Sequence, residues 1–282
     1  MCLVHRAHAG AAGCATEDCL PSLHNADIAW DAFDPDDYYG RNYRVLLPED
    51  RQILRLAGSF LAEHFRNGGV TGQAIDVGAG ANLYPALLML PWAEEIILTD
   101  VAESNVAWLS VSVREPPAPW PWQMFWNEIS GLPGYRDLAQ PENVLAARGT
   151  VRQRSIFDLE LAAWDLGSMF FVADGMTEDP GEFEAGVESF VRALRPGAPF
   201  VAAFMQNSLG YTVGSRKFPA VSVDRDSLQE LFRALHTDRC DVRATDRTAK
   251  VVRPGYEGML VVTGLAGLRT GRNRADVPEA TR

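Results

Sequence analysis

Two short apolar runs constrain the fold of this chain more than any other feature. One, in "AIDVGAGANLY" (74–84), carries residues 74–77 into the glycines Gly78 and Gly80. The other, in "EEIILTD" (94–100), carries residues 96–99 into Asp100. Each run has the length and composition of a buried strand, and residues 83–90 between them have those of a helix. The alternation continues downstream. A helix is predicted at 104–113, strands at 151–157 and 164–173, and a helix at "EFEAGVESFVRAL", which stops at Arg195-Pro196-Gly197. Then come a strand at "PFVAAFM", a helix at "SLQELFRALH" and two final strands near 241–245 and 259–263. Alternating strands and helices give an α/β fold: a Rossmann-like, doubly wound sheet, mostly parallel. The last two strands have no helix between them, so the last strand is expected to be antiparallel.

Residues 1–27 are small, polar and aperiodic and read as a flexible leader, free or loosely docked. Residues 28–268 form one domain, opening with an N-terminal helical lid (28–72). Within the lid, "EDRQILRLAGSFLAEHF" has apolar residues at helical spacing and stops before Asn67-Gly68-Gly69. A Trp-rich insertion lies at about 115–145, and the tail 269–282 is expected to be disordered.

Composition excludes several classes. Phosphate binding needs basic patches, and the net charge of -11 argues against them, so nucleic acid is not an expected partner. No apolar run approaches the roughly 20 residues of a membrane span. A secretion signal is not expected, because His5, Arg6 and His8 interrupt the apolar start. Cys2, Cys14, Cys19 and Cys240 show no metal-ligand spacing and read as reduced thiols, so the expected compartment is cytoplasmic and no metal is expected. Oligomeric state is left open.

In a doubly wound sheet, ligands bind beyond the carboxyl ends of the strands at the switch point. Gly78 and Gly80 allow a tight turn and close approach of the backbone, and Asp100 is placed to accept hydrogen bonds from a ribose diol. Three cofactors compete. A nicotinamide dinucleotide wants a third glycine, where Leu83 stands, and a P-loop wants Gly-Lys-Ser/Thr, which does not occur. S-adenosylmethionine has no phosphate, and its sulfonium and amino-acid tail suit the extra acid, Asp76. The missing glycine and the extra acid both point to S-adenosylmethionine as cofactor, with S-adenosylhomocysteine as product.

The stretch "IDVGAGANLYPALL…EEIILTDVAESN" resembles the small-molecule methyltransferases that act on nicotinamide, phenylethanolamine and indolethylamine, where a D-x-G-x-G-x-x-x-Y turn precedes T-D-Y-x-x-x-N. The resemblance includes the tyrosine-rich "DYYGRNY" and the downstream "NSLGYTVGSRKFPAVSVDRDSLQELF", and covers about residues 36–265. It is strongest toward an actinobacterial branch, in "MFFVADGMTEDPGEF" and "RALRPGAPFVAAFMQNSLGYTVG". The resemblance implies that Tyr38, Tyr39 and Tyr43 lie on a lid over the cofactor. Gly78 and Gly80 would pass under the methionine portion, with Tyr84 nearby. Asp100 would hold the ribose, Asn105 would brace the adenosine, and Ser155 and Ile156 would meet the adenine edge. The family often has aspartate at the position of Ser155, and Asp158 is a substitute three residues on.

Amine-methylating relatives carry an acid just after the fifth strand. Here Phe204, Met205, Gln206 and Asn207 stand there, and a neutral amide cannot balance an ammonium. A neutral or aromatic small molecule is the expected acceptor, methylated on nitrogen or oxygen. Tyr39 and Gln206 are the candidate positioning residues of catalysis. Trp126, Phe204, Asn207 and Tyr211 are the candidates for acceptor binding.

Several alternatives stay open at this level. The lid tyrosines cover the cofactor or merely pack their helix. The insertion, with Trp120, Trp122, Phe125 and Trp126, roofs a flat acceptor or plugs the sheet edge. Glu178 and Asp179 border the acceptor or cap the following helix. The histidines form no nucleophile–base pair. A non-catalytic protein that binds the cofactor on the same fold, and an NAD-dependent oxidoreductase, are the competing functions.

Overall fold

The computed structural model describes residues 22–247 and 253–267. In chain order these form α1 (Pro35–Asn42), α2 (Pro48–His64), β1 (Thr71–Val77), α3 (Tyr84–Met89), β2 (Ala93–Asp100) and α4 (Glu103–Arg114). Next come α5 (Gln123–Ile129), α6 (Pro141–Arg148), β3 (Gly149–Gln153), β4 (Leu166–Phe170), α7 (Pro180–Ala193) and β5 (Pro199–Met205). The last elements are a hairpin of β6 (Tyr211–Val213) and β7 (Arg216–Phe218), then α8 (Arg225–Ala234), β8 (Asp238–Ala244) and β9 (Met259–Leu265). Helix starts follow the local chemistry. The Asp34, Asp179 and Asp224 carboxylates accept the N–H groups of Asp37, Glu182 and Ser227, which satisfies donors no helical carbonyl can reach. Asp179 is therefore a cap, as the alternative reading had it.

The main sheet has seven strands in the order β3-β2-β1-β4-β5-β9-β8. All neighbouring pairs are parallel except those made by β9, which runs against both β5 and β8, as expected for the last strand. Strand order reverses beside β1, so the crevice at the switch point lies over the ends of β1, β2 and β4. The pleat sends alternate residues to opposite faces. Ala74, Leu98, Phe170 and Ala203 meet one core with α2, α3 and the insertion, while Ile75, Met169 and Phe204 meet a second core with α7 and α8.

Boundaries depart from expectation where local hydrogen bonding wins. The predicted strand 151–157 stops at Gln153, because the Ser155 hydroxyl accepts the Phe157 N–H and starts a 3-10 turn at Ile156–Asp158. The predicted strand 164–173 shortens to Leu166–Phe170, since Phe171 turns away at φ +61. The insertion contains α5 and α6, and its Trp122, Phe125 and Trp126 are buried. Phe125 stacks on Tyr84 at 5.4 Å, and Trp126 packs on Tyr135 at 5.9 Å. The insertion is a plug over the sheet rather than a roof.

For the last part of the leader the docked alternative holds. Residues 22–27 are docked: the Glu178 N–H donates to the Leu23 carbonyl at 2.8 Å, the Glu178 carboxylate accepts the Leu23 N–H, and Asn25–Asp27 forms a 3-10 turn. Residues 1–21, the tail 269–282 and three of the four cysteines lie outside the described residues. Among the described residues no helix is long and apolar enough to cross a membrane.

Candidate active site

The floor of the crevice is the turn after β1. Gly78 and Gly80 both hold positive φ, +63 and +54, where a side chain is disfavoured. A Cβ at Gly78 would stand 2.5 Å from Val172 Cγ1, so the close packing of β1 against the end of β4 also excludes one. Asp100, at the end of β2, ties the neighbouring turns together. Its Oδ2 accepts the Gly80 N–H at 2.9 Å, and its Oδ1 accepts the Ala102 N–H at 2.9 Å and the Asn105 amide at 3.2 Å. A carboxylate has about four acceptor positions, so this one is fixed yet keeps capacity for a ligand hydroxyl. Burial raises the pKa of Asp100, and hydrogen bonds from Ala102, Asn105, Gly80 and Val101 oppose that rise.

Behind the turn lies Asp76, its Oδ1 accepting the Ser168 hydroxyl at 2.7 Å. Burial pushes its pKa up to about 8, against the pull of Ser168 and with a further push from Asp100. Asp76 Oδ2 and Asn105 Oδ1 are both buried without a partner. The free Asn105 acceptor on the wall, beside a glycine turn and a braced acid, matches the hydroxyl and amino donors of an adenosyl group with an amino-acid tail. The residues present fit that group.

The roof comes from two distant parts of the chain. Asp31 and Asp36, before and within α1, accept the Glu103 N–H and the Trp108 indole N–H on α4. On the far side Asp37 accepts the Gly214 N–H of the hairpin at 2.7 Å. Trp30, Phe33 and Tyr38 join Tyr211 and Phe218 in one aromatic cluster, with centroids 5.1–6.2 Å apart. Lid and hairpin close over a hollow of about 740 Å³, counting the open space at its mouth.

Tyr38, Tyr43, Gly78, Gly80, Asp100, Asn105, Ser155, Ile156 and Tyr211 all line this hollow. The other predicted site residues do not, and Asp76 is among them, buried behind the turn. Tyr39 turns outward onto Trp108 and Trp122, at 5.9 and 5.7 Å, which is packing of the lid helix. Tyr84 is fully buried beneath the floor, its hydroxyl donating to Asp50 at 3.2 Å. Trp126 belongs to the plug. Phe204 faces the opposite core, against Phe183 and Phe232, because it stands one pleat position away from the crevice side. Gln206 and Asn207 knit the loop after β5 to residues 257 and 258: the Gln206 N–H donates to the Gly258 carbonyl, and the Asn207 amide to Glu257. Asp158 is exposed in the 3-10 turn and does not reach the hollow. Ser155 and Ile156 line the wall there, beside Arg154.

Several lining residues escaped sequence reasoning: Asn25, Trp30 and Phe33 before the lid helix, and Val172, Gly175 and Met176 after β4. The signal for the first group was present in the aromatic "AWDAFDP". The second group follows the end of a central strand, where the switch-point rule places ligands.

An open sheet with one reversed strand beside its last parallel neighbour, and a glycine turn braced by an acid at the switch point, is the methyltransferase form of the Rossmann-like fold. The chain belongs to the NNMT/PNMT/TEMT family, whose profile matches residues 22–264. It is 25% identical over 247 residues to phenylethanolamine N-methyltransferase of Bos taurus, covering 82% of this chain and 86% of that one. It is 23% identical over 209 residues to nicotinamide N-methyltransferase of Homo sapiens, covering 70% and 79%. Among solved structures, a SAM-dependent methyltransferase from Methanosarcina mazei shares the fold, with a TM-score of 0.51 and 12% identity over 74% of this chain and 97% of that one.

Proposed function

We propose that this protein transfers a methyl group from S-adenosylmethionine to a nitrogen or oxygen of a small, aromatic or natural-product molecule, leaving S-adenosylhomocysteine. The observation that carries this reading is Asp100, held by three donors at the mouth of a glycine turn under an aromatic roof. When bound, S-adenosylmethionine supplies a methyl group already activated by its sulfonium. The chain's own task is placement. Asp100 holds the ribose diol, Gly78 and Gly80 admit the methionine portion, and Ser155 and Ile156 flank the adenine. Asn105 offers its free acceptor to a donor group of the ligand, and Asp76 supports the floor from behind through Ser168. Tyr38, Tyr43 and the hairpin exclude water and present π faces to the cation, each worth roughly 0.5–2 kcal/mol. Holding donor and acceptor aligned near contact distance contributes on the order of 7–11 kcal/mol to the rate.

Placement in an actinobacterial branch of the family, a small-molecule partner rather than nucleic acid, and a cytoplasmic location belong to the same reading. Two measurements test it. Calorimetric titration of the purified protein with S-adenosylmethionine should give saturable binding; silence at millimolar ligand removes the reading. Release of S-adenosylhomocysteine with any acceptor from a metabolite panel then separates an enzyme from a protein that only stores the cofactor.

A further inference from the structure

Beyond the lid tyrosines lies a set of polar groups that the cofactor does not account for. Arg253 is 6% exposed, its guanidinium carbon stands 4.8 Å above the Tyr211 ring, and its Nε has no hydrogen-bond partner. Tyr211 lines the hollow, so the arginine sits directly behind that wall. Asp174, 1% exposed and next to the lining residue Gly175, accepts the Met205 N–H through Oδ2, while its Oδ1 has no partner. Burial pushes the Asp174 carboxyl up and the Arg253 charge pulls it back, yet neither Arg253 Nε nor Asp174 Oδ1 has a hydrogen-bond partner. The Tyr256 hydroxyl, buried close by, also lacks a partner.

This arginine is held in place by its backbone. The Arg253 carbonyl accepts the Tyr256 N–H, and the Pro254 carbonyl accepts the Leu209 N–H. Gly255, at φ +73, packs so closely on the loop after β5 that a Cβ would stand 2.3 Å from the Asn207 carbonyl oxygen. A buried cation with an unused N–H is costly unless a ligand pairs with it. A buried carboxylate oxygen without a donor asks for the opposite kind of group.

We propose that the methyl acceptor is a small acid: Arg253 and Tyr256 hold its carboxylate, and Asp174 accepts one of its N–H or O–H donors. This rests on the methyltransferase reading and specifies its substrate class. A carboxylate fits better than a phosphate. Arg253 supplies one positive charge beside the Asp174 carboxyl, so a second negative charge on the ligand would have nothing to offset it. The geometry also explains why no acid is needed at Gln206 or Asn207. The acceptor's amine, where it has one, is met by Asp174 from the end of β4 instead.

The test uses the full-length protein saturated with S-adenosylhomocysteine and matched pairs of aromatic acids with their decarboxylated counterparts: tryptophan and tryptamine, tyrosine and tyramine, 4-aminobenzoate and aniline. Calorimetry reads binding, and S-adenosylhomocysteine release from S-adenosylmethionine reads turnover. At least one acid should bind about tenfold or more tightly than its counterpart, the range of a charge-assisted hydrogen bond. Arg253→Met should abolish that preference while S-adenosylmethionine affinity stays within about twofold of wild type. Arg253→Lys, which keeps the charge, should retain part of the preference and guards against a misfolded Met variant. Decarboxylated counterparts that bind as well as the acids, a preference surviving in Arg253→Met, or no acid binding to the loaded protein would each overturn the proposal. Failure of the wild type to bind S-adenosylmethionine at all would instead bring down the methyltransferase reading beneath it.

Discussion

The two ends of the hollow are built by different means. At the cofactor end, the backbone sets the shape: two glycines at positive φ, and one carboxylate braced by two N–H groups and an amide, all within residues 76–105. Behind the hairpin wall, where the acceptor is proposed to bind, side chains from four distant segments converge: Tyr43 from the lid, Asp174 after β4, Tyr211 on the hairpin, and Arg253 with Tyr256 before β9. A site made by one short backbone turn tolerates little change and suits a ligand that every relative shares. One assembled from separate loops can be re-specified by changing one loop, which suits an acceptor that differs between relatives.

Buried carboxylates stand at both ends, and their titration is the largest effect expected to separate them. Asp76 has a folded pKa pushed up to about 8 by burial, and Asp174 one pushed up to about 6. For an acid with a raised pKa, the native state binds the proton more tightly than the unfolded chain. Its contribution is therefore favourable below about pH 4 and is lost as pH rises toward the folded value. At about 1.4 kcal/mol per pH unit, the ligand-free protein should lose several kcal/mol between pH 4 and 8 on account of Asp76. Urea unfolding across that range checks it. Asp76→Asn should flatten the curve up to pH 8, whereas Asp174→Asn should flatten it only up to about pH 6. Identical profiles for the two variants would erase the distinction.

Gly78→Ala comes next. It forces a side chain into the left-handed region, at about 1–2 kcal/mol, and against Val172, at about 1–3 kcal/mol. Folding should weaken by about 2–5 kcal/mol in denaturant titrations, and Val172→Ala in the same chain should return only the steric part. Asp100→Ala should weaken S-adenosylmethionine binding by about 1.5–3 kcal/mol, read by calorimetry, while acceptor binding to protein loaded with S-adenosylhomocysteine changes little. Equal losses at both sites would mean that the two ends are not separately built.

The same contrast explains what could be read in the sequence. Gly78, Gly80, Asp100 and Asn105 were legible because the residues that brace one another lie within one βαβ unit, where spacing carries the geometry. The mostly parallel sheet with its reversed last strand followed from the alternation of strands and helices for the same reason. Phe204 was misread because a shift of one residue at a strand's end moves a side chain to the other face of the sheet. Trp126 was misread because an aromatic among prolines looks alike whether it roofs a ligand or plugs a core. Asp174 and Arg253 could not be paired at all, being brought together only by the packing of the loop after β5 against residues 253–257.

The smallest effect concerns what joins the two ends, the contact of the lid with the hairpin. Asp37 accepts the Gly214 N–H and pairs with Arg41 at 2.6 Å, and these partners hold its carboxyl below the usual range, hydrogen bond first and guanidinium second. The sign is opposite to that of Asp76. An acid with a lowered pKa stabilises its contact above the unfolded value and loses that stabilisation as pH falls through the folded one. Asp37 is solvent-facing, so salt and water screen the charge and the aromatic cluster beneath carries most of the closure. Asp37→Asn should therefore speed S-adenosylhomocysteine release slightly in stopped-flow measurements at neutral pH, with no change in the wild-type rate until acid reaches the lowered pKa. Trp30→Ala, which removes a ring stacked 5.5 Å from Phe218, should speed release more than Asp37→Asn does. If the aspartate variant releases faster than the tryptophan variant, charge rather than aromatic packing holds the roof over both ends.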